Sequence, residues 1–438
     1  MSASTTSSRT FIYGRPVRVE EFLGRKSDLR TIFNRLRHSE STAIVGEPHI
    51  GKSSLLLKLA DPETQRSYLG ADAERLLPYL FDMHPIQSTF APPDFWREAL
   101  GPLRDHPDQG IMEPLVEEAI RSGFGRRPLE RVFNQLGRGG WRLVVLLDEF
   151  ERLLIHPNFQ DPAFFALLRS LATRTGGLAL ITASRLSVAE MNERGRGLLE
   201  AGSPFFNNMI EMRLRPFPEI DVGRILDRGG DAFSQQDRQF IRRVAGRHPF
   251  LIQAMAAALL ERDGADRQVE AAERFYERTA FHFDDLWQAM DDHTRTTAVI
   301  LSLMELGGRA LGDRFAYGEI ERVDAFGPEL RQLAERGLAE RVGKGWRFDW
   351  GHRVLWRGEQ WTVGAQSFAW WVRDVVISRS RRVLGVEEWL ANKRYRILLT
   401  QQQWDRLLDT VRNAPEWAVR GVKGLARALL EELVGGKA

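Results

Sequence analysis

The chain has no cysteine among its 438 residues. That excludes disulfides, thiolate metal sites and cysteine nucleophiles, and it fits a reducing compartment. Long apolar runs are missing too. Stretches such as residues 143–147 are far too short to cross a bilayer, so no membrane partner is expected. The nine histidines are scattered, with no pair at metal-ligand spacing, which argues against a zinc site. No charge sign dominates, because 62 Lys and Arg face 59 Asp and Glu, a net of +3. A nucleic-acid surface would need a clustered patch rather than this total. One local excess lies between Val372 and Arg396, where Arg373, Arg379, Arg381, Arg382, Lys393, Arg394 and Arg396 outnumber Asp374, Glu387 and Glu388. No internal repeat of useful period is present, so a solenoid is not expected. Residues 1–10 are Ser/Thr-rich without an apolar block, unlike a secretory leader. Residues 1–17 therefore read as a flexible tail, and the protein as cytoplasmic.

What is present describes a multidomain globular chain. Its length exceeds one ordinary core, and 43% hydrophobic with 28% charged residues is a folded composition. Short apolar strands at residues 41–45, 77–83, 142–147, 177–183 and 209–214 alternate with helical segments. Pro78 makes the start of the second strand uncertain. This alternation predicts an α/β fold, a doubly wound parallel sheet with helices on both faces, over residues 18–216. Pro216 and Pro218 end the pattern. Residues 217–292 then read as a helical domain. Helices near 294–306, 317–323 and 328–336 follow. Gly343-Lys344-Gly345, between apolar segments 338–342 and 346–348, signals a hairpin turn. Three helices and a hairpin outline a winged helix over 293–377. Residues 378–438 read as a small helical module, with a capping box at Thr400 and Gln403 and a last helix over 417–433.

One motif carries chemistry outright. Residues Gly46-Glu47-Pro48-His49-Ile50-Gly51-Lys52-Ser53 match the phosphate-loop pattern, and they lie between a strand and a helix, the context that motif requires. The glycines let backbone N–H groups turn towards phosphate oxygens at a helix N-terminus. Lys52 is expected at the β- and γ-phosphates and Ser53 in the Mg²⁺ shell. The apolar run 143–147 ends in Asp148-Glu149. Asp148 is placed to hold magnesium through water, and Glu149 to polarise an attacking water. Thr182-Ala183-Ser184-Arg185 ends the next strand at the carboxyl edge, where open α/β sheets bind ligands. Either Ser184 or Arg185 is a candidate for the γ-phosphate, and Arg185 as a loop salt-bridge residue is the competing reading.

With these residues the chain resembles STAND-type signalling ATPases, within the AAA+/archaeal-ATPase branch of P-loop proteins, over about residues 11–290. Phe22-Leu23-Gly24-Arg25 with Asp28-Leu29 is similar to the entry motif that borders the adenine pocket. The stretch 203–208, the strand after it and Pro216-Phe217 are similar to the surroundings of the last sheet strand. Ala245-Gly246-Arg247-His248-Pro249-Phe250-Leu251-Ile252-Gln253 is similar to a lid segment whose His-Pro sits over the nucleotide. Thr182–Arg185 is similar to the group's fourth-strand sensor. Arg247 stands where relatives often have a second Gly, and Asp28 where Glu is common.

The resemblance implies Gly24, Arg25, Gly46, Gly51, Lys52, Ser53, Ser54, Ser184, His248 and Pro249 around ATP or ADP. It further implies Ser53 and Asp148 at Mg²⁺, with Glu149, Asp148, Lys52 and Arg185 in catalysis. The expected function is a slow ATPase that acts as a switch. It would self-associate with ATP bound and control a separately encoded effector protein, in prokaryotic defence or stress signalling. Two other readings remain open at this point: a DNA-acting AAA+ loader, and a module that holds nucleotide without turning it over. The candidate recognition helix at 328–336 balances Arg331 and Arg336 against Glu329 and Glu335, which makes DNA the weaker partner.

Overall fold

The computed structural model describes residues 11–105, 107, 109–195, 206–310, 326–348, 354–378 and 421–435. Two compact units emerge: residues 16–214, and residues 215–438 together with the segment up to Arg15.

In the first unit five parallel strands lie in the order β2-β3-β4-β1-β5. They are β1 (Ser41–Val45), β2 (Leu76–Asp82), β3 (Arg142–Asp148), β4 (Leu178–Ser184) and β5 (Met209–Arg213). Side chains alternate between the faces of a strand, so a sheet covered on both sides needs nearly unbroken apolar strands. β3 shows this. Its Leu143, Val145 and Leu147 enter a core with Phe95, Trp96, Phe133 and Phe164, while Val144 and Leu146 enter another with Leu29, Ile32, Leu55 and Leu56. The first core is built from α4 (Pro92–Ala99), α5 (Gln109–Arg121), α6 (Arg126–Arg138) and α8 (Pro162–Arg174). The second is built from α1 (Lys26–Arg37), α2 (Lys52–Ala60) and α3 (Pro62–Leu69). Two short helices, α7 (Glu151–Ile155) and α9 (Val188–Gly195), follow β3 and β4. Pro78 lies inside β2 rather than before it. Among the described residues β2 pairs only with β3, and an edge strand tolerates a residue that lacks an N–H.

The second unit opens with α10 (Glu219–Asp227), α11 (Gln235–Ala245), α12 (Pro249–Leu260) and the 22-residue α13 (Arg267–Gln288). A Ser234–Asp237 capping box starts α11, satisfying amides that the helix leaves without partners. α14 (Asp292–Ala310), α15 (Gly327–Glu335), the antiparallel pair β6 (Ala339–Phe348) and β7 (Val354–Val363), and α16 (Gln366–Trp371) follow. A π-helical turn over Val372–Ser378 and a last helix, Val422–Gly435, complete the described elements.

Three expectations change here. The flexible tail expected over 1–17 is anchored from Phe11 onward. Phe11 is buried with its ring 5.6 Å from that of Phe233, and Gln253 Oε1 accepts from the Ile12 amide at 3.2 Å. Tyr13 accepts from Arg278 Nη1 at 3.1 Å. Gly343-Lys344-Gly345 is not a turn but lies within β6, opposite Gln360-Glu359-Gly358 and next to a register shift at Arg341/Gly343. Glycines in a strand interior commonly accompany such a bulge. Arg373, counted in the basic excess, is buried against Asp374. The rest of that excess, the helix at 317–323 and the capping box at Thr400 lie outside the described residues.

The join between α11 and the hairpin is made by backbone. Gly246 has φ +65°, and a Cβ there would fall 2.5 Å from the Gly364 carbonyl oxygen; one on Gly364 would fall 2.4 Å from that of Gly337. Arg247 pairs with Glu340 of β6 at 2.6 Å. Arg242 reaches the same carboxylate at 2.8 Å.

Candidate functional site

The loop after β1 has the geometry that its sequence requires. His49 and Gly51 take left-handed conformations, φ +60° and +99°, the alternation that turns successive amides inward into an anion nest. Gly46 donates its N–H to Ser184 O at 3.2 Å, fastening the loop to β4. A side chain does not fit there. A Cβ on Gly46 would lie 2.9 Å from Ile50 Cγ2 and 3.3 Å from Leu214 Cβ. Ile50 is β-branched and stiff, so Gly46→Ala is expected to destabilise the protein by about 1–3 kcal/mol, the usual penalty of overpacking. A lowered denaturation midpoint checks it; an unchanged midpoint would mean that the loop relaxes freely.

Lys52 begins α2 and is buried, with Nζ donating to the carbonyls of Gly46 at 2.8 Å and Glu47 at 3.1 Å. Burial lowers its pKa; Glu149, Glu151 and Asp148 oppose that shift and Arg185 adds to it. Ser53, the next residue, lies near enough to the Asp148 carboxyl to work against the rise of its pKa. Asp148 has its pKa raised by burial, while Ser53, the Glu149 amide and Lys52 work against the rise and Asp82 adds to it. A hydroxyl beside a carboxylate is a set of hard oxygens, the donor type that suits Mg²⁺ alongside waters and phosphate oxygens.

Glu149 follows with φ +52°, a strained conformation for a residue with a side chain. Such strain at the end of a strand is a pointer to function. Ser184 is buried, and its Oγ accepts from the Leu186 amide at 2.9 Å. Arg185 is exposed. β4 lies between β1 and β3, so the sheet order carries Ser184 and Arg185 between the phosphate loop and the acids.

Other predicted positions have more specific geometry. Ser54 Oγ accepts from the Val17 amide at 3.2 Å, tying the entry segment to α2. Gly24 and Arg25 both have positive φ, +75° and +59°. Arg25 is buried, donates to Ile50 O at 3.0 Å and pairs with Asp28 at 3.5 Å. It therefore braces the phosphate loop from behind. His248 and Pro249 belong to the other unit. Pro249 is the first residue of α12, and the buried His248 ring lies 4.7 Å from that of His282. Sequence reasoning passed over Asp82 and Glu151. Asp82 pairs in register with Asp148, and the signal for it was a second strand ending in Asp at the same edge.

No protein-family model matches the chain, and no curated protein matches it. Solved structures do. A Walker-type ATPase from Pyrococcus abyssi is 15% identical, aligned over 83% of this chain and 99% of its own, with a TM-score of 0.50. The ORC2 protein of Aeropyrum pernix, solved with ADPNP and ADP, is 13% identical over 86% of this chain and 99% of its own, TM-score 0.47. A STAND protein with a tetratricopeptide sensor from Pyrococcus horikoshii is 15% identical over 96% of this chain and 55% of its own, TM-score 0.34. At such identities a likeness concerns fold. The five-stranded parallel sheet, its helices on both faces and the loop after β1 give this chain the P-loop NTPase fold.

Proposed function

We propose that the chain is an ATP-driven molecular switch of STAND type that hydrolyses slowly. The observation that carries this reading is the meeting, at one sheet edge, of the left-handed loop with Lys52, the Ser53–Asp148 pair, Glu149 and the end of β4. Bound MgATP would supply the reactive γ-phosphoryl group and the cation's charge. In this reading Lys52 and the loop amides hold the phosphates, and Ser53 and Asp148 orient the metal. Glu149 takes the proton of the attacking water, with Arg185 beside the γ-phosphate.

Switching is supported by where the chain passes between its two units. One crossing is at Arg15–Pro16, two residues before the Val17 amide that Ser54 Oγ accepts. The other is at Leu214–Arg215, immediately after Leu214 donates to Val45 O at 2.8 Å. Both crossings thus adjoin the phosphate loop or its helix. A ligand shifts a conformational equilibrium only through differential affinity, and these are the places where such a difference would be transmitted. We assign the helices from α14 to α16 with the hairpin to a winged helix, α10–α13 to the lid, and His248 to sensing nucleotide there. The output is a partner effector protein, in a prokaryotic defence or stress response.

The test is the mass in solution of the Glu149→Gln protein with ATP and Mg²⁺ or with ADP, by light scattering. ATP should produce a larger assembly than ADP. Equal mass in both, with both nucleotides bound, would remove the switch. Steeply salt-dependent DNA binding instead would favour a DNA-acting ATPase.

A further inference from the structure

Glu151 lies outside the roles assigned above, yet the turn that carries the acids is fastened through it. The β3–β4 ladder ends at Leu147↔Thr182. Two further bonds continue it past the last strand residues. Phe150 donates its N–H to Ala183 O at 3.0 Å. The Arg185 amide, for which no backbone acceptor is found among the described residues, donates to Glu151 Oε1 at 3.2 Å. Between these two bonds sits Ser184, whose Oγ closes its own turn on the Leu186 amide. A side-chain carboxylate therefore replaces a backbone acceptor where the sheet stops. The fastening is local. Phe150 is fully buried in the core under the same turn, and Glu151 is the first residue of α7. The carboxylate also sits among the functional charges, since it is one of the groups that sustain the Lys52 ammonium against burial. Its second oxygen, Oε2, is buried with no hydrogen-bond partner among the described residues.

We propose that Glu151 is a positioning residue for the nucleotide's γ-phosphate. By holding the Arg185 amide it sets the Ser184–Arg185 turn at a fixed height beside Glu149, so that the exposed Arg185 side chain starts from one place. The consequence is discrimination between ATP and ADP, since an arginine placed in advance loses less freedom on reaching a phosphate. This inference rests on the ATP reading.

The test uses the full chain with Glu149→Gln as the parent, so that ATP persists, and compares ATP with ADP affinity by calorimetry. Adding Glu151→Ala should reduce the ATP-over-ADP preference by about tenfold, leaving ADP affinity within about twofold. Adding Glu151→Gln should keep the preference, because the amide oxygen still accepts from Arg185. With Arg185→Ala already present, Glu151→Ala should have no further effect, the non-additivity of groups acting as one unit. Three outcomes would overturn the proposal: an unchanged preference in Glu151→Ala, equal losses in Glu151→Gln and Glu151→Ala, or additive losses with Arg185→Ala. A parent that binds neither nucleotide would overturn the ATP reading itself, and the proposal with it. If Glu151→Ala fails to fold, Glu151→Leu, which keeps the bulk but cannot accept from the Arg185 amide, takes its place, with the same loss expected and an unchanged preference overturning the proposal.

Discussion

Lys52→Ala is expected to weaken ATP binding more than a hundredfold, on the order of 3 kcal/mol, the loss typical of removing one partner from a buried charge pair. The ammonium is already inside the loop, held by the Gly46 and Glu47 carbonyls. No large rearrangement is needed to bring it to a phosphate. Its removal also leaves Glu149, Glu151 and Asp148 without the cation they support, so the loop would face a bound triphosphate with net negative surroundings. The fold should persist, because alanine is a good helix former at the start of α2. Ligand-induced thermal stabilisation reads the effect directly, since bound ligand stabilises as the logarithm of its concentration over Kd. A variant that ATP still stabilises as much as wild type would overturn the assignment of the loop. The pH dependence has a defined sign. Burial lowers the Lys52 pKa, so wild-type affinity should fall on the alkaline side below the pH at which an ordinary lysine loses its proton. That limb should be absent in Lys52→Ala.

Glu149→Gln should slow phosphate release by about a hundredfold to ten-thousandfold, the contribution of a positioned general base, while ATP binding changes little. The amide preserves the shape and the left-handed backbone of Glu149, φ +52°, but it cannot take a proton from water. The Ser53–Asp148 pair is untouched, so the magnesium requirement for binding should remain. Single-turnover phosphate release with binding measured in parallel separates the two effects. Hydrolysis within about threefold of wild type would transfer the base role elsewhere, and a parallel loss of ATP affinity would indicate damage to the loop instead.

The phosphate loop was legible because its chemistry is local. Eight consecutive residues supply the nest, the cation and the hydroxyl, and the flanking strand and helix are readable from apolar patterning. Asp148 was legible for a similar reason, as an acid ending an unbroken apolar strand. Glu151 was not. Its importance comes from a bond to the Arg185 amide, 34 residues away, which no spacing rule encodes. The Gly343-Lys344-Gly345 segment misled for the opposite reason. Glycine marks a turn by local preference, yet pairing with β7 overrides that preference.

By itself the sequence determined the alternation of strands and helices, the phosphate loop, the acids after β3 and the change of architecture near Pro216. Each of these depends on residues adjacent in the chain or repeating with a helix or strand period. Tertiary structure alone decided which strands are neighbours, and hence that the end of β4 lies between the phosphate loop and the acids. It also gave Arg25 to the Ile50 carbonyl, Ser54 to the Val17 amide and Phe11 to the ring of Phe233, far along the chain. Those pairings are set by burial and by the satisfaction of polar groups across distant segments, and such quantities take a value only once the chain has closed on itself.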